Sequence, residues 1–456
     1  MPRIAILFLV LLSVSCQKEY SSQAEIREKL QESELFLRSV ENLTHIQIHD
    51  IFAPPVASRV YVYPSIAAYE AIQVAYPEYE SFANRLHGLS PFSASVDTQK
   101  VYVELAAVYA FNEVAKAFIF SEEKMGAWQA QVDSIVNTWQ VNPKMIERTK
   151  DYANEVKQHI LAWSKTDNYL ETRTMPKFSV NDGEPARWSP TPPAYMEGIE
   201  PHWNKMRTMV IDSAAQFKPA APPPFDLSAG SPFYQLAKEV YEVGNNLTEE
   251  QTLIANFWDC NPFKMNQSGH VMFASKKITP GGHWMGITGV ACRKAKADQM
   301  ATVNAHALVS IGLFDAFISC WDEKYRSVLV RPETVINQKI DPDWLPTLQT
   351  PPFPEHTSGH SVISTASAVI LTSLFGDNFS FVDNVEVEFG LPERSFNSFL
   401  EASSEAAISR LYGGIHYRPA IEDGVTQGKQ VGNFIVHQLL PDRAPGVSQV
   451  LPKEEE

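Results

Sequence analysis

Apolar residues along this chain recur at intervals of three and four positions, which is the spacing of one face of an α-helix. The segment Thr98–Phe120 shows the pattern clearly, because its apolar stripe consists of Val101, Leu105, Val108, Ala115 and Ile119. A stripe of this kind packs against neighbouring helices. We therefore predict an N-terminal helical bundle, with helices at Ala24–His45, Pro55–Ala75, Thr98–Phe120, Glu122–Trp139 and Pro143–Ser164.

Helical patterns return in the second half of the chain. One helix is expected to begin at Pro232, and glycines at 376 and 413 are expected to end two later ones. The pattern shows no useful strand alternation and no internal repeat. These features predict an all-α fold of two packed bundles, with C-terminal helices at Glu249–Phe257, Thr302–Lys324, Ser358–Phe375 and Arg394–Leu411.

A proline-rich segment separates the two helical regions. It contains "RWSPTPPAYMEGIEPHW" and "FKPAAPPPFD", and proline interrupts regular hydrogen bonding. Because the aromatic residues Trp188, Tyr195 and Trp203 favour packing, we expect this segment to lie over a surface or to wall a cleft. The predicted division of the chain is a signal peptide at 1–16, an N-terminal bundle at 17–167, a connecting segment at 168–231 and a C-terminal bundle at 232–456.

The first residues have the character of an export signal. Arg3 precedes an apolar run from Ile4 to Leu12, and small residues lead to Cys16. The end of this segment resembles a bacterial lipoprotein cleavage site, although Ser13 stands where leucine is usual. We expect an exported protein, periplasmic or anchored to the outer membrane by a lipid on Cys16, with ordinary secretion as the alternative.

Charge and cysteine content narrow the function further. The 456-residue chain has a formal net charge of −15 and a pI near 5.3, which argues against a nucleic-acid partner. Its 4 cysteines include no CxxC pair, so a disulfide framework is not expected. Cys292 and Cys320 fall within helical patterns and are predicted to be buried thiols. Any anion must therefore be bound by a local cluster of donors.

Three short stretches supply such a cluster. "WDEKYRSVLVRPE", "PPFPEHTSGHSVIS" and "SRLYGGIHYRP" all lie in the C-terminal half. Charged side chains, a helix start and two histidines together suit a tetrahedral oxyanion. The residues concerned are Lys324, Arg331, Ser358, Gly359, His360, Arg410 and His416.

The order and spacing of these residues resemble the three-part signature shared by type 2 phosphatidic-acid phosphatases, bacterial acid phosphatases and vanadium-dependent haloperoxidases. The match covers roughly residues 321–424, and the general character is similar to that of bacterial vanadium iodoperoxidases. The resemblance implies that His416 coordinates vanadium, that His360 acts as an acid/base on peroxide and that Lys324 also polarises the peroxide. It further implies that the oxygens of one vanadate are held by Lys324, Arg331, Ser358, Gly359 and Arg410.

Two positions depart from the family pattern. Thr357 replaces the proline usual before Ser-Gly-His, and threonine also suits a helix start. Ala420 replaces an aspartate that helps to fix the local geometry in the family. The orientation of His416 is therefore left to some other group, for which Glu422 and Asp423 are candidates.

Three functions compete for this cluster. A haloperoxidase would oxidise iodide, with bromide as the alternative, using hydrogen peroxide, and would halogenate a small organic acceptor. A phosphatase would use His416 as the nucleophile, and a phosphate-binding lipoprotein would need neither histidine. Trp321 and Phe353 occupy positions that line the halide pocket in chloroperoxidases, so the haloperoxidase is favoured.

Further residues near the cluster are candidates to border or support the site. These are Asp322, His356 and Phe263. His45 and His49 lie one helical turn apart but lack obvious further ligands, so we interpret them as surface residues. The oligomeric state is left open by the sequence.

Overall fold

A computed structural model of the chain describes residues 20–92, 96–180, 183–268, 271–274 and 277–440. The predicted signal peptide and its Cys16 lie outside these residues. Short antiparallel pairs join β1 (Met265–Ser268) to β2 (Val271–Ala274) and β3 (Phe381–Asp383) to β4 (Arg394–Phe396). Almost everything else that is regular is helical, which confirms the all-α prediction.

The described residues form 15 α-helices. In chain order they are α1 Gln23–Ser33, α2 Leu35–Asp50, α3 Pro54–Ile72, α4 Val103–Ala115, α5 Glu122–Asn137, α6 Pro143–Ser164, α7 Tyr169–Thr172, α8 Pro232–Asn245, α9 Glu249–Phe257, α10 Pro280–Lys294, α11 Gln299–Ser327, α12 Pro332–Lys339, α13 Gly359–Phe375, α14 Phe399–Tyr412 and α15 Arg418–Leu439.

Local chemistry explains where the helices differ from the sequence prediction. The first predicted helix is observed as two helices, α1 and α2, because Glu34 between them adopts a left-handed conformation with φ 51°. The last predicted helix begins later than expected. Ser398 caps α14 by accepting a hydrogen bond from the Glu401 N–H, and residues 394–396 before it form β4 instead.

A large apolar cluster runs through both halves of the chain, from Ile26 in α1 to Leu439 in α15, and two smaller clusters lie beside it in the C-terminal half. Helix α11 lies at its centre and packs against α3, α10, α13 and α15. By length and composition α11 is able to cross a membrane, but its apolar stretch is entirely buried inside the protein. Helices α3 and α11, from the two predicted bundles, pack directly on each other, and the division of the chain into four segments stays a prediction.

The proline-rich segment packs over α11, in line with the expectation that it lies over a surface. The Asp315 carboxylate of α11 accepts hydrogen bonds from the backbone N–H groups of Met209, Val210 and Ile211, at 2.7, 2.8 and 3.0 Å. Trp188 and Trp203 are buried, whereas Tyr195 is exposed. The described residues of this segment contribute no side chain to the cavity described below.

Candidate active site

A small cavity of about 40 Å³ opens where α11, α13 and the segment before α15 meet. By volume it has room for about three water molecules or one small oxyanion. Seven residues singled out from the sequence line it: Phe263, Trp321, Phe353, Gly359, His360, Arg410 and His416. Among the lining residues that were not predicted, four carry polar side chains: Asp259, Cys260, Asn261 and Gln349.

His416 occupies the segment between α14 and α15, and both of its ring nitrogens have partners. Nδ1 lies 2.8 Å from Oε1 of Glu355, while Nε2 lies 3.2 Å from Nη1 of Arg331. A carboxylate only accepts and a guanidinium only donates, so Nδ1 carries the hydrogen and Nε2 presents its lone pair. The ring is thereby fixed in the tautomer that a metal ligand requires.

Glu355 is the orienting group that sequence reasoning missed. The expectation that Glu422 or Asp423 orients His416 is wrong. Asp423 lies 3.8 Å from His356, and Glu422 lies 4.0 Å from Arg418. Glu355 takes the role because the loop that leads into α13 turns its carboxylate toward His416. The same carboxylate also accepts the Tyr417 N–H at 2.9 Å.

A sequence signal for Glu355 did exist. It stands five residues before His360, inside the same loop that leads into α13. A metal-binding imidazole usually donates its second N–H to a carboxylate or a carbonyl. An acidic residue in that loop was therefore a candidate partner from the start.

Arg331 places a buried cation beside His416, although its side chain is not among those that line the cavity. Its Nε donates to the Phe353 carbonyl at 2.9 Å and its Nη1 donates to the Ile415 carbonyl at 2.8 Å. Its Nη2 is buried and has no hydrogen-bond partner among the described residues. Burial lowers its pKa to about 10, so the guanidinium stays charged at neutral pH. A fixed charge with a spare donor suits an anion.

Lys324 does not line the cavity but lies next to the lining residue Phe353. Its ammonium donates to the carbonyls of Pro354 and Glu355, each at 3.0 Å, and to that of Thr357. All three of its hydrogens therefore hold the loop that carries Glu355 and leads into α13. Burial lowers its pKa to about 7, with Arg331 adding to the shift. In this structure Lys324 shapes the site and does not line the cavity.

The start of α13 has the cap that the sequence predicts. Ser358 is the N-cap residue, and its hydroxyl accepts the Ser361 N–H at 3.3 Å. Gly359 and His360 occupy the first turn, where backbone N–H groups are free of intrahelical partners. A Cβ at Gly359 would meet only the Trp321 ring, at 3.7 Å, so protein packing does not demand glycine here. The missing side chain leaves room on the cavity side.

His360 and Arg410 complete the polar wall. His360 Nε2 is buried without a partner among the described residues. Arg410 donates to the Ser409 hydroxyl at 2.9 Å and to the Trp258 carbonyl at 2.6 Å. Burial holds the pKa of His360 and of His416 well below the ordinary value, and the nearby arginines lower both further. Both imidazoles are therefore neutral at physiological pH.

Aromatic rings form the opposite wall. Trp321 and Phe353 pack with ring centroids 5.0 Å apart, and the Phe353 ring lies 5.0 Å from the Lys324 ammonium. The Trp321 indole donates to the Ile199 carbonyl at 3.1 Å, so the proline-rich segment fixes its orientation from outside. Phe263 contributes to the same lining. The cavity is therefore cationic on one side and apolar on the other.

Asp322 and His356 are not brought to the cavity. Asp322 accepts from Asn204 at 2.9 Å and pairs with Arg326 at 2.5 Å. His356 donates to the Ala220 carbonyl at 3.2 Å. Neither residue lines the cavity, because Asp322 turns to the far side of α11 and His356 faces the proline-rich segment.

His45 and His49 bond to Glu388 and Asp50, at 2.8 and 3.0 Å, and both side chains are about half exposed. They therefore lie at the surface, as the sequence indicated.

The residues present fit a vanadate ion. Its oxygens accept hydrogen bonds, and two buried polar atoms lack partners among the described residues: His360 Nε2, in a residue that lines the cavity, and Arg331 Nη2, in the side chain that contacts His416. His416 would supply the nitrogen lone pair that accepts from Arg331 in this structure, and Gly359 leaves space on the cavity side. Donors, ligand and space thus coincide at one place.

Comparisons with known proteins agree with this geometry. A family model described as the VCPO second helical-bundle domain matches residues 304–440. Comparison with curated protein sequences gives no match. Among solved structures, the chain is similar to one described as the first bacterial vanadium-dependent iodoperoxidase. The identity is 52% and the TM-score 0.84, and the match covers 89% of this chain and 96% of that one.

More distant structures share the fold. The holo form of a bacterial vanadium-dependent chloroperoxidase matches with 14% identity and a TM-score of 0.63, covering 95% of this chain and 100% of that one. The apo form matches with 14% identity and a TM-score of 0.59, covering 85% and 95%. The resemblance drawn from the sequence is confirmed by the iodoperoxidase match. The chain belongs to the family of vanadium-dependent haloperoxidases.

Proposed function

We propose that this protein is a vanadate-dependent haloperoxidase that binds one vanadate at His416 and oxidises iodide with hydrogen peroxide. The observation that carries the proposal is the state of the His416 ring. Glu355 holds Nδ1 at 2.8 Å, and Nε2 faces the Arg331 cation at 3.2 Å. A lone pair directed at a cationic pocket suits an anionic metal complex, which needs both a nitrogen ligand and positive charge.

Bound vanadate would supply a Lewis acid that activates peroxide for attack by halide. The chain itself would do the rest. Arg331 and Arg410 would neutralise the charge on the oxygens, and the first turn of α13 would donate backbone N–H groups. His360 is neutral and has a nitrogen without a partner among the described residues, so it can accept or return a proton of the peroxide.

Iodide suits the apolar side of the cavity. Trp321, Phe353 and Phe263 offer rings and no hydrogen-bond donors to a halide beyond the Trp321 N–H, which the Ile199 carbonyl already accepts. A large, weakly hydrated halide gives up less hydration energy than a small one on entering such a site. The 52% identity to a bacterial vanadium iodoperoxidase supports the same choice.

The test measures iodide oxidation by peroxide with purified protein, before and after addition of vanadate, beside hydrolysis of a phosphate ester. We expect peroxidase activity that depends on vanadate. His416→Ala should abolish it, because the nitrogen ligand that Glu355 orients is removed. His45→Ala is the matched control, since His45 is a surface histidine bonded to Glu388.

Hydrolysis without vanadate, together with absence of peroxidase activity, would instead identify a histidine phosphatase. Bromide oxidised as fast as iodide would contradict the halide assignment alone and would leave the peroxidase assignment standing.

A further inference from the structure

A second buried histidine lies close to the candidate active site and has no part in the proposed chemistry. His283, in the first turn of α10, is fully buried. Its Nε2 lies 2.8 Å from Oδ2 of Asp383, at the end of β3. Its Nδ1 lies 3.6 Å from Sγ of Cys260 and 3.3 Å from Oε1 of Glu386. Three elements distant in sequence therefore meet at one ring nitrogen.

The spacing of these atoms is that of a tetrahedral metal site. Cys260 Sγ lies 3.7 Å from Glu386 Oε1, so the three atom pairs measure 3.6, 3.3 and 3.7 Å. Zinc bonds of about 2.3 Å to sulfur and about 2.0–2.1 Å to nitrogen and oxygen place tetrahedral ligands roughly 3.3–3.6 Å apart. One ion can thus reach all three atoms with little movement.

The surroundings have the features that support a metal ligand. Asp383 accepts the second nitrogen of His283, which forms the carboxylate–histidine pair that orients imidazole ligands of zinc. The Trp258 ring stacks on His283 with centroids 4.7 Å apart. Cys260, Glu386 and Asp383 are all buried. An apolar shell thus encloses a compact set of soft and hard donors.

We propose that Cys260, His283 and Glu386 bind a zinc ion, with Asp383 orienting His283 and a water in the fourth position. Thiolate, imidazole and carboxylate together are a donor set that zinc favours among common divalent ions. This site adjoins the proposed vanadate site, since Cys260 also lines the cavity, but its ligands differ from those assigned to vanadate.

Zinc binding at this site can be written as an exchange of one Zn²⁺ for two protons. Without metal, the Cys260 thiol donates to Glu386, and a protonated His283 bonds to both Asp383 and Glu386. Burial raises the pKa of the thiol, and the Asp383 carboxylate, working against burial, holds the pKa of His283 above its ordinary value. Zinc would displace the thiol proton and the Nδ1 proton. One Zn²⁺ replaces two protons, so the net charge of the buried group is unchanged.

The zinc would brace the wall of the candidate active site. Cys260 and its neighbours Asp259, Asn261 and Phe263 line the cavity, and the carbonyl of the nearby Trp258 accepts from Arg410 at 2.6 Å. Joining Cys260 to α10 and to the turn after β3 would fix this loop in place. We therefore expect metal loss to lower thermal stability and to loosen the wall beside Arg410.

The experiment uses the full chain produced with zinc in the medium and then freed of loosely held metal. We expect elemental analysis to find about one zinc per chain, as for a site whose binding is coupled to folding. Cys260→Ser and His283→Gln should lose the zinc, and Cys292→Ala should retain it. Cys292 is the matched control because it is also a buried free thiol, distant from the cluster.

Cobalt(II) is the second probe, and it requires no variant to fold. In the wild-type protein stripped of zinc it should give the thiolate charge-transfer and ligand-field bands of a tetrahedral sulfur-containing site. Vanadium is measured in the same samples, so failure of the proposed function is seen separately. Folded wild-type protein with neither zinc nor a cobalt–thiolate band would overturn the proposal and leave the cluster as a protonated ion-pair network.

Discussion

Two of the buried histidines, His416 and His283, each have one ring nitrogen in the same kind of environment and the other in opposite environments. Each donates one N–H to a buried carboxylate at 2.8 Å, Glu355 for His416 and Asp383 for His283. The remaining nitrogen of His416 faces the cation Arg331, whereas that of His283 faces a thiol and a carboxylate. In each histidine the bond to the carboxylate, which is the shared half of the unit, orients the ring. The groups around the other nitrogen, which are the differing half, determine which ligand it can bind.

The difference teaches how one imidazole–carboxylate unit can serve two ligands of opposite charge. A nitrogen lone pair beside a guanidinium favours an anionic complex, because the cation balances the incoming charge. A nitrogen beside a thiol and a carboxylate favours a bare cation, because those groups bring the negative charge themselves. Changing either half of either unit should therefore have a separate and measurable effect.

Removing the cation beside His416 should have the largest effect. Arg331→Ala deletes the charge facing Nε2 and three hydrogen bonds, and loss of one such donor costs about 10²–10³ in turnover. Arg331→Lys keeps a charge but loses the planar fork and should recover only part of the activity. Steady-state iodide oxidation at saturating vanadate measures both. Equal activity in wild type and Arg331→Ala would break the comparison.

Weakening the hydrogen bond between Glu355 and His416 should lower the affinity for vanadate. Glu355→Gln keeps the shape but replaces the acceptor charge, and loss of such a partner typically costs about 10–100-fold in metal affinity. Titration of apo-protein with vanadate, followed by activity, measures the change. An unaltered vanadate affinity would mean that Glu355 does not act through His416.

The matching change at His283 should leave vanadate binding alone. Asp383→Asn removes the acceptor charge behind the proposed zinc ligand, so zinc affinity should fall about 10–100-fold. Competition with a chromogenic chelator measures it, and vanadate affinity in the same protein should stay at the wild-type value. A fall in vanadate affinity equal to that of Glu355→Gln would show that the two units are not independent.

Acidity should also distinguish the two units. Burial raises the pKa of the Glu355 carboxyl to about 7, although Arg331 and Lys324 oppose the shift. Its neutral form is thus favoured in the folded state, and its contribution to stability is full below the ordinary pKa of 4.5 and lost as pH rises through about 7. Vanadate affinity should run the other way, because the carboxylate form orients His416 best.

Titrations with vanadate between pH 6 and 8, within about one unit of that pKa on either side, check this expectation. Affinity should rise with pH in the wild type, and Glu355→Gln should flatten the profile. A profile of unchanged slope in the variant would assign the pH dependence to another group.

Changes at the apolar wall should be smallest. Phe353→Leu removes the ring packed on Trp321 and beneath the Lys324 ammonium, but it leaves every polar ligand in place. We expect iodide turnover to change by about tenfold, the lower end of the range for an altered hydrophobic contact. Vanadate affinity should not change. A larger loss in vanadate affinity than in iodide turnover would place Phe353 in the cofactor site instead.

Much of the fold was predictable because helical periodicity is a local signal. Helix α6 was predicted with its observed ends, Pro143 and Ser164, and Ser358 caps α13 as its hydroxyl indicated. Helix α10 escaped prediction because four glycines, at 281, 282, 286 and 289, obscure its pattern. They allow close packing, since a Cβ at Gly286 would come within 2.7 Å of Val385. That need arises only in the folded protein.

The candidate site was predictable to the extent that its residues lie in short, ordered stretches. Arg331, Gly359, Arg410 and His416 converge as the spacing indicated. Lys324 differs, because its three donated bonds go to backbone carbonyls that only the folded loop presents. A hydrogen-bond partner that depends on tertiary structure leaves no periodic trace in sequence.

Asp315 has a further consequence, which concerns the unfolded chain. Helix α11 is long and apolar enough to enter a bilayer before the core forms around it. Asp315 lies near the middle of this helix, and a central aspartate opposes membrane insertion by about 3 kcal/mol. In the folded protein the same carboxylate is satisfied by three backbone N–H groups of the proline-rich segment. The Asp315 side chain therefore opposes membrane insertion of α11 in the unfolded chain and binds the proline-rich segment in the folded protein.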